Sequence, residues 1–387
     1  MRNLLRHFSG NGGNNGCKGR VGGNFFSYQC INHPQWTPRR YDAISEEGFQ
    51  KNAVVFRAIN LISRGIASIP MTVKNVDDKT ENLALTKLLS RPNKTQSQGA
   101  FFETLVNYLL ISGNTFIHHG ENGEMNCLRT DRVSISPGAS GTSAAFYVYE
   151  VDLKKFDIPV EDILHIKFFN PLNDWYGLSP LQVAAMAVDQ HNAISDHNLA
   201  ILQNGGRPSG CLMVKNGDEG LTDEQREQLR TDLQSAYVGS KNAGKIMVLE
   251  GSFEWKEMGL SPKDLDFDVG KTVTSKEIAL AFGIPPSMLG MHENTTFSGY
   301  REVRLQLWED TILPLGELIR QEFSTWLSRK FSEAVEIVFD LDAVHALTSR
   351  REILWQKISN ADFLTANEKR EILGFPPLPD NGTLNDK

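Results

Sequence analysis

"KEIALAFGIPPSMLGMHENTTFSGYRE", residues 276–302, is the stretch whose reading decides the rest of the chain. Helical spacing in KEIALAFG runs into Pro285-Pro286, and proline cannot continue a helix because it lacks the N–H and crowds the preceding turn. A short apolar run, Met288-Leu289-Gly290-Met291, follows. After His292 and Glu293 comes a string of small polar residues, Asn294, Thr295 and Thr296, with almost no charge. At Tyr300 a second and longer helical pattern begins. The span 285–299 is too polar to be core and too uncharged to be an ordinary solvated turn. Ile278, Leu280 and Phe282 before it, with Leu305, Leu307 and Trp308 after it, read as the packing that holds its ends. Residues 291–296 are then free to face something other than the fold.

Working downstream, the second helix should run to about residue 329. Pro314 lies inside it and should kink it. VEIVFD (335–340) reads as a strand, and the tail from 347 as two short helices. Working upstream, a helix should span 262–282 with Ser261 as its N-cap. Before it, strand patterns (CLMVK, KIMVLEG, FEWKEMG) flank a polar helix, TDEQREQLRTDLQSAY, over residues 211–259. An Ala-rich pattern from Ser179 reads as one long helix of roughly 35 Å, at about 1.5 Å per residue. The first half is mixed. Val55, Ile59, Ile62 and Ile66 repeat at helical spacing until Pro70, MTVKNV is a strand, and FFETLVNYLLISG is a helix ended by Gly113. NTFIHHGENGEMNCL reads as a hairpin turning at Asn122-Gly123. FYVYEV and ILHIKFF are further strands. Residues 1–40, Gly- and Asn-rich at 10–24, read as a disordered tail. The fold class is α+β.

The chain has 387 residues, 40% hydrophobic and 22% charged, an ordinary globular composition. No apolar run reaches the length of a membrane span, and the first residues lack a signal-peptide core. Cys17, Cys30, Cys127 and Cys211 are scattered with no CxxC pair, which argues against a zinc site or disulfide framework and suits a reducing cytosol. The net charge is −7. Proteins that grip nucleic acid carry a basic footprint, because neutralised phosphates supply the affinity. This chain should not hold DNA tightly.

Candidate chemistry fails residue by residue. GSKNAGKI (239–246) fits a phosphate-cradling GxxxxGK core, but Ile246 stands where a Mg²⁺-binding hydroxyl belongs. A helix precedes the loop and a strand follows it, the reverse of the arrangement that places phosphate on a helix N-terminus. DLDFDVG (264–270) has Val269 and Ser275 where a calcium loop needs Gly and Glu. His118 and His119 are strand neighbours that point to opposite faces. His191 and His197 are six apart on a helix. Neither HExxH nor GxSxG occurs, and no metal, cofactor or catalytic constellation is expected.

Eight blocks in order carry a family resemblance: FRAINLISRGIASIPM; LLSRPNKTQSQGAFFETLVNYLLISGNTFIH; EDILHIKFFNPLNDWYGLSPL; NGGRPSG; LTDEQREQL; NAGKIMVLEG; DFDVGKTVTSKEIALAFGIPPSMLG; and FLTANEKREILGFPPL. The chain resembles the portal proteins of tailed phages and of phage-derived gene transfer agents, over nearly everything from 54 to 378. The resemblance implies a ring of about twelve copies at one capsid vertex, inside a virion assembled from protein made in a bacterial cytoplasm. Double-stranded DNA would pass through its channel without sequence preference. It also implies a segmentation. Residues 41–178 and 300–345 form a wing, 179–208 and 262–284 two stem helices, 209–261 a clip inserted between them, 285–299 a tunnel loop, and 346–387 a small helical crown and tail. On this reading Met291, His292, Glu293, Asn294, Thr295 and Thr296 line the channel. Gly239, Ser240, Lys241 and Asn242 belong to the clip surface that docks the terminase large subunit and later the head–tail adaptor. Pro314 marks the kinked wing helix. The major capsid protein is a further implied partner; no membrane is. The span from FSGYREVRLQLW onward and the small crown look more like gene-transfer-agent or prophage portals than the commoner phage form. Two other readings stay open. One is a packaging ATPase using residues 239–245, and the other a capsid or connector adaptor with no DNA channel.

Overall fold

The computed structural model describes residues 36–138, 141, 143–203, 210–214, 253–257, 266–291, 297–361 and 363–373, with a few positions between 222 and 231. Order is established earlier than the expected tail boundary at 40. The Thr37 N–H donates to Asp189 Oδ2 at 2.9 Å and its hydroxyl bonds the same carboxylate. A short helix α1 (Tyr41–Ile44) and a π-helical turn (Ser45–Gln50) then lead into α2 (Ala53–Ala67).

Two long apolar helices make the centre. Helix α2 buries Val55, Ile59, Ile62 and Ile66 along one face, the 3–4 spacing seen in the sequence. After β1 (Met71–Asn75) and α3 (Leu83–Ser90), helix α4 (Gln98–Ser112) packs against it through Phe101, Phe102, Leu105 and Leu109. Gly113 ends α4 in the left-handed region at φ 78°, where a residue without Cβ meets no steric penalty.

The chain next builds β2 (Asn114–His119), β3 (Met125–Leu128), β4 (Val133–Pro137), β5 (Ala144–Val151), β6 (Lys154–Pro159) and β7 (Ile163–Lys167). They form two antiparallel three-stranded sheets, ordered β3-β2-β7 and β4-β5-β6. The expected hairpin is β2–β3, with Gly123 at φ 76° in its turn. Because strand neighbours alternate, Ile117 joins the large helical core while Phe116 joins a second cluster with Tyr147, Ile158 and Ile163 between the sheets. Strand β2 therefore has apolar partners on both faces. Strands β4 and β6 escape sequence reading, one because it is short and the other because it is a charged, exposed edge.

The Ala-rich stretch is broken where one helix was expected. It comprises α5 (Pro180–Val183) and α6 (Ala185–Gln203), with Ala184 between them at φ −76°, ψ −3°. Strands β8 (Gly210–Val214) and β9 (Phe253–Glu257) pair antiparallel. The KIMVLEG strand and the Ser261 cap lie outside the described residues. Helix α7 spans Phe267–Ala281, starting later than the expected 262, and Asp266 before it sits in the left-handed region. The described chain continues through α8 (Phe297–Leu307), a π-helical turn (Trp308–Ile312) and α9 (Leu313–Phe331). Strand β10 (Val335–Phe339) pairs antiparallel with β1, joining positions far apart in sequence. Helices α10 (Thr348–Ser359) and α11 (Ala366–Ile372) are the two short C-terminal helices. Thr365 and Glu368 close α11 with a reciprocal capping box.

Candidate channel loop and the residues that anchor it

Both ends of the 285–299 span are closed into the main core. On the near side Ile278, Phe282 and Ile284 are buried, and on the far side Leu307, Trp308 and Ile312. Leu280 was expected to pack with them and does not: it is 80% exposed. Positions 278 and 282 lie four apart on one helix face, whereas 280 is about 200° around the axis from either. Leu305 is partly buried against the same core.

Helix α7 is stopped by backbone geometry. Gly283 sits at φ 65°, and the Ile284 N–H returns to the Ala279 carbonyl at 2.9 Å. Pro285 and Pro286 start a single 3₁₀ turn, Pro286–Leu289, which Gly290 ends at φ 87°. Met288 and Leu289 lean on the main core, so the apolar run before the polar residues is a foot on that core. Across the loop, the Thr311 hydroxyl donates to the Gly283 carbonyl. That bond ties the end of α7 to the π turn that follows α8.

The π turn lies directly before Pro314. Proline offers no N–H, so the carbonyl four residues earlier, that of Asp310, has no α-helical donor. A wider turn is one way to absorb that loss. Packing fits the same turn: a Cβ on Gly65 would lie 2.7 Å from Ile312 Cδ1, so the absence of a side chain there lets α2 accept Ile312. Farther along α9, Arg320 bonds Glu317, Glu336 and the Ile337 carbonyl, clamping β10 onto the helix.

Helix α6 is fixed by a buried polar node. Asn52 caps α2, its Oδ1 accepting from the N–H groups of Val54 and Val55. That orientation aims its amide N–H₂ at His191 Nδ1 (3.1 Å) and Asn192 Oδ1 (2.9 Å). Asn192 in turn donates to the Glu47 carbonyl. An amide nitrogen only donates, so His191 Nδ1 must accept and the ring is neutral. Burial, then the nearby Lys271 charge, pushes the His191 pKa down in the same sense. A second node joins β2 and β7 to the loop before α5. Buried Asn114 accepts at Oδ1 from His165 Nε2 (3.1 Å) and the Gly177 N–H (2.8 Å). His165 stacks on Phe116 at 4.2 Å, and burial with nearby Lys167 pushes its pKa down to about 3.

Of the residues singled out from sequence, Met291 is half-buried at the end of the 3₁₀ foot. His292 to Thr296 lie outside the described residues, as do Gly239 to Asn242 and the whole 239–246 segment. Pro314 lies in α9 immediately after the π turn. His118 and His119 are half-buried, and His119 meets the rings of Trp326 and Phe331 edge-on. Among the described residues no group of three or more His, Cys, Asp or Glu could hold a metal ion. No described helix is long and apolar enough to cross a membrane. Sequence reasoning missed Gly283, Thr311 and Asn52, and it weighed His191 only as a metal ligand. Asn52 carried a signal, an Asn just before a helical pattern; Thr311 carried none.

The phage portal protein family model matches residues 53–374, which takes in both shoulders of the loop, the Asn114 node and the π turn. The chain belongs to the phage portal protein family. The portal protein of Enterobacteria phage HK97 is 24% identical over 355 residues, covering 87% of this chain and 82% of that protein. An uncharacterized protein of Rickettsia bellii is 38% identical over 353 residues, covering 87% and 90%. Among solved structures, a chain in the neck of an empty gene transfer agent particle, computed with C6 symmetry, is 38% identical with a TM-score of 0.70. It covers 89% of this chain and is itself covered to 96%. The neck of the native particle, computed with C12 symmetry, matches with a TM-score of 0.68. This is a portal subunit of the mixed helix-and-sheet portal fold, from a family whose work is structural.

Proposed function

We propose that about twelve copies of this chain close into a ring at one vertex of a phage-like particle, and that double-stranded DNA enters and leaves through its centre. The observation that carries this reading is the 38% identity, across 89% of the chain, to a chain in the neck of a gene transfer agent particle. The same similarity favours a gene transfer agent or prophage lineage. Residues 291–296 form the channel wall in this reading. The residues on either side of them are held by core contacts and by the Thr311–Gly283 bond. Duplex DNA carries one charge per roughly 1.7 Å, and a wall that paired with each would stall it. Amides and hydroxyls on a chain of net charge −7 make weak, sequence-blind contacts that release. The clip around Gly239 to Asn242 would take the terminase large subunit during filling and the head–tail adaptor afterwards, with the major capsid protein around the wing. The chain is a conduit and not a motor, since Ile246 lacks the hydroxyl that a nucleotide site needs for Mg²⁺.

The test replaces residues 291–296 with a Gly/Ser linker of equal length. Ring formation and melting temperature should stay at the wild-type values, because the linker touches none of the buried anchors. DNA per purified particle should fall. Normal DNA content with intact rings would remove the loop from the channel.

A further inference from the structure

The turn that joins β5 to β6 sets its backbone against its side chain. It is a two-residue turn, Asp152-Leu153, closed by the pair Val151 and Lys154. Both residues have positive φ, 48° and 67°, the geometry that joins two strands in a tight hairpin. Glycine takes the second of these positions without steric cost, whereas a leucine's Cβ crowds the backbone there. The same Leu153 is 93% exposed. Asp152 and Lys154 flank it, exposed and with no ion pair among the described residues. Phe156 is exposed too, on the face of β6 that farther along buries Ile158 between the sheets. Neither apolar side chain serves its own fold.

Five residues back along β5, about 17 Å at about 3.4 Å per residue, the same strand reaches a cleft. Tyr147, Ile163, Leu164, Trp175 and Trp326 line it, between the two sheets and α9, and its volume is about 300 Å³. Trp326 is buried, yet its indole N–H meets no acceptor among the described residues. Buried donors normally find one. Glu322 and Arg329 border the cleft as exposed charges two turns apart on one face of α9. Lys167 and Asp174 border it as well and are tied together, the Lys167 ammonium donating to the Asp174 carbonyl.

We propose that the Asp152-Leu153 tip of one copy seats in this cleft on its neighbour. Leu153 packs on Tyr147 and Leu164, a carbonyl of the turn accepts from Trp326, and Asp152 and Lys154 stand opposite Arg329 and Glu322. The inference rests on the ring reading above. Three observations make the occupant a second copy of this chain. The acid and the base that flank Leu153 match a base and an acid on α9. No copy can fill its own cleft, because β5 runs unbroken from cleft to tip and holds the two apart. The 38% identical neck chain belongs to particles computed with C12 and C6 symmetry, so a neighbour is always beside it. A tip and a cleft at different places on one subunit make a head-to-tail contact, the kind that can close into a ring.

The experiment uses the full chain. Leu153→Cys with Thr325→Cys puts one thiol on the tip and one in the cleft. Under mild oxidation this variant should give a ladder of covalent multimers on a non-reducing gel. Either single variant, which controls for the native cysteines, should not. Leu153→Gly separates docking from folding. Glycine suits the turn, so the variant should melt within a few degrees of wild type. Native mass spectrometry should nevertheless show its rings only at about tenfold or more protein than wild type needs. Lys154→Glu and Glu322→Lys should each weaken assembly, and together should restore it. Rings without a ladder in the double-cysteine variant, or Leu153→Gly rings that form at the wild-type concentration, would overturn the contact. Normal rings of Leu153→Gly that fail to join a capsid shell would give the tip to the shell and overturn it too. Wild-type protein that never forms rings would overturn the ring itself, a failure distinct from that of the contact.

Discussion

Asn52 does two jobs with one side chain, and substitution can separate them. Its oxygen caps α2 and its nitrogen holds α6 through His191 and Asn192. Asn52→Ala loses both, and the cap alone is worth about 1 kcal/mol. Leaving buried partners unpaired adds about 1–3 kcal/mol. Asn52→Asp keeps the cap but sets a carboxylate against the lone pair of His191 Nδ1. The ring should then take a proton and its pKa should rise. Chemical denaturation should rank wild type above Asn52→Asp above Asn52→Ala, and the histidine NMR signal of Asn52→Asp should titrate at higher pH. His165 makes a second prediction. Its folded pKa lies near 3, well below the roughly 6.5 of an unfolded chain. Above pH 6.5 both states are neutral and nothing changes. Below it the unfolded chain takes up the proton while the folded one does not, so stability falls as pH drops from about 6.5 toward 3. Each such histidine contributes a slope of about 1.4 kcal/mol per pH unit. His165→Gln retains a donor for Asn114 and should flatten the fall by one proton's worth in urea melts at pH 7, 5.5 and 4.5.

At the level of elements, the π turn at Trp308–Ile312 holds more chain per turn than an α-helix does. Removing one exposed residue from it, Asp310, should return the rod to α geometry with α8 and α9 still in register. Removing one exposed residue from α9, Glu322, rotates one half of the helix by about 100° against the other. That swing would take Phe323, Trp326 and Leu327 out of the core. The Asp310 deletion should stay soluble and melt within a few degrees of wild type, while the Glu322 deletion should not fold cooperatively; thermal melts of the pair check it. Elements of this kind show what sequence could reveal. Helices α2 and α4, the β2–β3 hairpin and β7 were legible because each carries its own period and its own stop signal. The break at Ala184 was not, since alanine is the best helix former and nothing local argues for a break there. It coincides with tertiary contacts: Leu181 against Gly48 beside the break, and His191 against Asn52 farther along α6. Leu280 was misread because composition was counted without its angle around the axis.

For the molecule as a whole, the family was legible from eight blocks in order, and the loop's polarity from its residues alone. The ties that hold the loop were not. Gly283 and Thr311 stand 28 positions apart, and neither type announces a partner. One prediction belongs to this scale because it depends on every copy at once. Thr295→Lys with Thr296→Lys would add two positive charges per subunit to the proposed channel wall. Particles should fill slowly at low salt and recover as salt is raised, because screening weakens each phosphate contact. Packaging rates across a salt series check it; a defect that ignores salt would point to sterics.

The bond between Thr311 and Gly283 also has a mechanical meaning. Its two ends belong to the stop of α7 and to the π turn, and both are seated in one apolar core. A pull on the loop cannot be taken up by one flank while the other stays slack. Drag from a moving polymer would load α7 and the turn before α9 in parallel, as two legs of a bracket share a weight. Cutting that cross-tie with Thr311→Val should let the legs strain separately, so the loss would show under load before it showed in an equilibrium melt.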